Sequence, residues 1–136
     1  MTHWPPPPAF PLVVAGCVVA ILAFDAISAA LVRGSSSFRY GRLWPLQFGC
    51  YVVFGFVAMY VLLDIRLAGI AGAIAGLADG TIGWAITWRM GPNRRPDATR
   101  GSIVVAALSM VAFGFWLALI GALLFNVAVR VVLHAP

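Results

Sequence analysis

Residues 67–88 read LAGIAGAIAGLADGTIGWAITW, an apolar run of 22 residues carrying a single carboxylate, Asp79. Its length crosses roughly 30 Å of hydrocarbon as a helix. At 100° per residue, Gly72, Gly76 and Gly80 recur every fourth position, and Gly69 and Gly83 fall on the same side, so the helix carries a glycine stripe. Asp79 follows Gly72 by seven residues and points within about 20° of it. Ile70, Ile74, Leu77, Trp84 and Trp88 take the opposite side. In lipid, small residues let helix backbones approach closely, so the glycine side is expected to receive another helix, in the same chain or another. The bulky side then faces lipid. A charged carboxylate exposed to lipid near mid-bilayer would cost about 2.5–3.5 kcal/mol, which places Asp79 inside a protein interface.

The rest of the chain agrees with this class. Of 136 residues, 62% are hydrophobic and only 10% charged, and the mean hydropathy is +0.99, too little polar surface to cover a soluble domain. Four stretches are long enough to span a membrane: about 10–32, 43–63, 67–88 and 103–125. They lack the period-two alternation of outer-membrane barrel strands, so the expected fold is an all-α integral membrane protein, a bundle of four transmembrane helices forming a single domain over residues 1–136. The N-terminal MTHWPPPPAFP has no basic n-region, so the first span is expected to be retained. Pro45 belongs in the first turn of the second helix, where its missing N–H costs nothing. The short Asp64-Ile65-Arg66 connection predicts an antiparallel hairpin of spans two and three, and Gly114, Ala118 and Ala122 give the fourth span a small-residue face of its own.

Nine arginines and no lysines supply the basic charge. They concentrate in two loops, Arg33, Arg39 and Arg42 in one and Arg89, Arg94, Arg95 and Arg100 in the other, whereas the turn between them has Arg66 alone. Arginines in short loops read as lipid-headgroup contacts and topology determinants rather than as nucleic-acid contacts. The expected location is the inner or plasma membrane, with the arginine-rich loops cytoplasmic and both termini outside.

With that topology, Asp25, Gln47, Tyr51, Asp79 and Ser109 all fall in the cytoplasmic half of their spans. They predict a polar layer, or a pocket open toward the cytoplasm. No Lys, Arg or His lies at the depth of the two aspartates, so a proton or a metal cation would have to balance them; which metal, if any, is not specified by the sequence. Thr81 and Thr87 are expected to bond their own helix backbone, and Cys17 and Cys50, at different depths, to remain packing residues rather than a disulfide.

No GxSxG, HExxH, phosphate-binding loop or dinucleotide fingerprint is present, so neither an enzyme nor a cofactor is expected. Two functional readings follow. The first is a transport-related bundle, a homo-oligomer among membrane lipids, that binds or relays a proton or cationic solute through Asp25 and Asp79 with Gln47, Tyr51 and Ser109. The second is a non-enzymatic accessory or assembly subunit of a larger membrane complex, packed through its glycine-rich third helix.

Overall fold

The computed structural model describes residues 7–34, 43–90 and 100–133. These residues form helices and no strand. Helix α1 is Ala9–Gly34 and α2 is Trp44–Leu62. A long rod then runs through α3 (Ile65–Ala78), a π-helical turn (Asp79–Gly83) and α4 (Trp84–Met90), and α5 is Arg100–Leu133. Four stretches, Ala9–Gly34, Trp44–Leu62, Ile65–Met90 and Ile103–Leu133, are long and apolar enough to cross a membrane. Each of the four expected spans is thus one of these stretches, and the last extends past Phe125 because NVAVRVVL contains no helix breaker.

Local chemistry fixes the hairpin of α2 and α3. Pro45 lies in the first turn of α2. At the other end Leu63 adopts the left-handed conformation, φ 53°, and its N–H donates to the Met59 carbonyl at 2.9 Å, closing the helix. Asp64 is extended, and its Oδ1 accepts from the N–H of Arg66 at 2.8 Å and of Leu67 at 3.3 Å. Those bonds satisfy two of the orphan donors at the start of α3. Two residues therefore reverse the chain.

The hairpin is the centre of the bundle. Helix α5 packs along both of its members, antiparallel to α3, and α1 packs along the hairpin and α4. Small residues set the spacing on the α5 side. A Cβ built on Gly72 would collide with the Gly114 carbonyl and the Ala118 methyl, one on Gly76 with the Met110 carbonyl, and one on Gly80 would come within 2.7 Å of Ala107 Cα. Gly55 and Gly121 do the same between α2 and α5, against the backbones of Ala118 and Val52. The partner of the glycine stripe is thus a helix of the same chain.

The outward faces are apolar. Ile70, Ile74, Leu77 and Trp88 are exposed, as expected for the side away from the stripe, together with Val104, Val105, Trp116 and Ile120 on α5. Trp84 is the exception and is half-buried.

Candidate functional site

The polar interior lies where the rod changes from α to π geometry. Asp25 of α1 is 0% exposed, Asp79 of the π turn 6%, and Gln47 and Tyr51 of α2 are 5% and 0% exposed. Gln47 and Tyr51 are one helical turn apart, so both project from α2 toward the same point. Tyr51 Oη donates to Asp79 Oδ2 at 2.6 Å, and Gln47 Nε2 donates to the same oxygen at 2.8 Å. The Gln47 amide also reaches Asp25 Oδ1 at 3.5 Å, bridging the two carboxyl groups. The carboxyls themselves come together beside Gly83, where Asp25 Oδ2 and Asp79 Oδ1 face the same point. Two carboxylate anions have no donor between them, so a proton or a cation would relieve their approach.

Gly83 makes room for this contact. Its missing Cβ would collide with Asp25 Oδ2 and lie 3.2 Å from Asp79 Oδ1. As an ideal α-helix the chain would carry Gly83 onto the stripe that meets α5. Residues in the wider π turn advance by less than 100° each, so Gly83 lags behind and faces α1 instead. Gly83 thus meets α1 rather than the α5 partner of the other stripe glycines. Gly69, by contrast, meets the Phe115 and Leu119 side chains of α5 and stays with the stripe.

Among the described residues no arginine shares this interior. Arg33, Arg66, Arg89 and Arg130 are all exposed. Among the described residues no group of three or more His, Cys, Asp or Glu could hold a metal ion. Arg39, Arg42, Arg94 and Arg95 lie outside the described residues, as does the side chain of Arg100.

On the face of Asp79 and Gln47 toward α5 lies a pocket of about 280 Å³. Trp44 and Gln47 of α2, Asp79, Gly80 and Gly83 of the π turn, Trp84 and Thr87 of α4, and Met110 and Phe113 of α5 are among the residues lining it. Ser109 stands here too, but its hydroxyl donates to its own helix at Val105 O, 2.8 Å away, and it does not join the carboxyl cluster. Thr81 and Thr87 likewise donate to Leu77 O at 2.6 Å and Trp84 O at 3.0 Å, as expected of hydroxyls within helices. Cys17 and Cys50 are free thiols; Cys17 belongs to the apolar cluster around Ile21 and Tyr51, with Cys50 at its edge.

Of the five polar residues expected to form a layer, the structure brings Asp25, Gln47, Tyr51 and Asp79 into one hydrogen-bonded group and leaves Ser109 on the pocket wall. Sequence reasoning missed Trp44, Trp84, Met110 and Phe113 as pocket residues, and Gly83 as a neighbour of the carboxyls. The available signal was Gly80-Thr81-Ile82-Gly83: two glycines within one turn directly after a buried Asp weaken the α register. Comparison with known proteins finds no matching family model, no matching curated protein and no matching solved structure.

Proposed function

We propose that this chain is a small multi-pass membrane protein that binds and exchanges a proton or small cation at the Asp25–Asp79 pair, as part of a transport activity. One observation carries the reading: two buried carboxyl groups bridged by the Gln47 amide, with every described arginine exposed. An unbalanced buried charge is costly, and a proton or a positively charged solute that can enter and leave would balance the two carboxyls. Tyr51 and Gln47 direct two donors at Asp79 Oδ2, while its Oδ1 faces Asp25. Loss of the shared proton leaves a second negative charge, and entry of a cation restores the balance.

The alternative, an accessory subunit docked through its third helix, is weakened by the coverage of the stripe by α5. Lipid contact and assembly with further copies or other proteins fall to the outward apolar faces of the bundle. In this reading the arginine-rich loops face the cytoplasm and both termini lie outside. Labelling of single cysteines placed at Arg39 and Arg94 in intact cells tests it, since modification by an impermeant reagent at either site reverses the orientation.

Asp79→Asn tests the chemistry. It keeps size and hydrogen-bonding capacity while removing the titratable proton. The variant is expected to fold and assemble as wild type does, judged by size-exclusion in detergent, yet to lose proton exchange in reconstituted vesicles carrying a pH dye. Asp25→Asn should lose it equally, with the double variant no worse than either single, because the two act as a unit. Assembled Asn variants that exchange protons normally would remove the basis of the proposal.

A further inference from the structure

The pocket beside Asp79 has a one-sided lining. The Ser109 hydroxyl has committed its proton to the Val105 carbonyl, and Thr87 its own to the Trp84 carbonyl. The Gln47 amide hydrogens point at Asp25 and Asp79, which turns its carbonyl oxygen into the group it can offer a ligand. Asp79 contributes a carboxyl. Apart from the indole N–H groups of Trp44 and Trp84, the Asp79, Gln47 and Ser109 side chains therefore present acceptors, and a ligand that satisfies them has to bring donors. The remaining wall is aromatic and apolar: Trp44, Trp84, Phe113 and Met110. Aromatic faces attract cations, Trp most strongly, and thioethers accept apolar bodies of irregular shape. The glycines at positions 80 and 83 leave the floor beside Asp79 without side chains. At about 280 Å³ the space falls just below the range of about 300–1,000 Å³ typical of drug-sized ligand sites, which suits a small ligand.

We propose that this pocket binds a small, protonated organic amine, its apolar body held among Trp44, Trp84 and Phe113 and its ammonium group on Asp79. The assignment rests on the carboxyl-pair reading above and names the class of cation that would exchange with the proton. The ammonium supplies donors to these acceptors and a positive charge beside Asp79. An inorganic cation would satisfy the carboxyl and leave the aromatic wall without a partner.

The test uses the full chain purified in detergent, with phenethylammonium chloride as the probe and 2-phenylethanol as its uncharged counterpart. Calorimetry is expected to show saturable binding of phenethylammonium, and binding of the alcohol weaker by about tenfold or more, the scale of one charge-assisted contact. Asp79→Asn should lower amine affinity by at least about tenfold. Ala106→Phe, which fills the pocket from α5 and leaves both carboxyls in place, should lower it as much, so the test survives if the Asp79 variant fails to fold. Absence of saturable amine binding to wild type, equal affinity for the alcohol, or undiminished binding by folded Ala106→Phe would each overturn the assignment. Proton exchange measured in vesicles on the same wild-type preparation separates the two levels. Exchange without amine binding defeats the pocket alone, whereas normal exchange by assembled Asp25→Asn defeats the carboxyl-pair reading on which it stands.

Discussion

The two halves of the rod from Ile65 to Met90 use the same residue, glycine, for opposite ends. In the α-helical half, Gly72 and Gly76 remove side chains so that backbone meets backbone: the Gly114 and Met110 carbonyls of α5 occupy the space. In the π half, Gly83 removes a side chain so that two carboxyl groups can occupy it. The first arrangement binds helices together, and the second holds a polar group where helices would otherwise close. Glycine spacing alone therefore does not tell a seam from a site. What distinguishes Gly76 from Gly83 is that the atom in the vacated space is backbone in one and the movable end of a polar side chain in the other.

Alanine scanning of these glycines would break the comparison most sharply. At Gly76 the new methyl meets the Met110 carbonyl, which can move only if α5 moves, so Gly76→Ala should cost about 3 kcal/mol, the upper part of the overpacking range. Reduced yield and a lowered unfolding midpoint in detergent are the readouts. At Gly83 the methyl meets the end of Asp25, which can rotate away. Gly83→Ala should cost about 1 kcal/mol or less, yet separate the carboxyls and abolish proton exchange. Equal destabilisation by the two substitutions would mean that both halves are seams.

Tyr51 joins the halves. Its ring edge covers Gly114, 3.1 Å from where a Cβ there would lie, and its hydroxyl serves Asp79. Tyr51→Phe keeps the ring and deletes the 2.6 Å bond, which for a hydrogen bond to a charged group is worth about 1.5–3 kcal/mol. A fall of about 2 kcal/mol in stability, with weakened exchange, is the expected result of chemical unfolding and vesicle assays. No loss of either would show that Gln47 alone suffices to hold Asp79.

This division also decides what could be read from the sequence. The seam follows from α periodicity, so Gly69, Gly72, Gly76 and Gly80 could be placed on one face from their spacing, and four apolar runs gave the four long helices. The residues of the polar group were legible as the few hydrogen-bonding side chains at one depth. Their geometry was not, because it depends on the π turn, and an extra residue in a turn leaves the hydrophobic pattern on either side of it intact. Gly83 shows the consequence: at 100° per residue it belongs to the seam, and in the wider turn it belongs to the carboxyls. The pocket aromatics were hidden for a different reason. Trp44 and Phe113 become neighbours only when α2 and α5 pack side by side, an arrangement that no spacing within one helix records. Gly55 and Gly121 set that packing distance, and neither forms a four-residue repeat with the other small residues of the seam that was read.

The smallest expected effect comes from the end of the hairpin farthest from the site, and it is a gain. Leu63 holds φ 53°, where an L residue with a Cβ pays about 1–2 kcal/mol, and it is 73% exposed, so its side chain recovers little by packing in the bundle. Leu63→Gly removes that penalty but gives the unfolded chain more freedom, a loss of about 0.5–1 kcal/mol. The balance is a stabilisation of about 0.5–1 kcal/mol, seen as a small rise in the unfolding midpoint. The Leu63 N–H bond to Met59 O and the Asp64 cap on α3 involve no Leu63 side-chain atom, so both should persist. Asp79 lies sixteen positions further along the chain, about 24 Å at 1.5 Å per helical residue. Proton exchange should therefore be unchanged while stability rises. A shift in exchange would mean that the tightness of the hairpin sets the geometry of the carboxyl pair, and the two halves would no longer be separable. A lowered midpoint would instead assign Leu63 a stabilising contact with the surrounding apolar phase that outweighs its backbone strain.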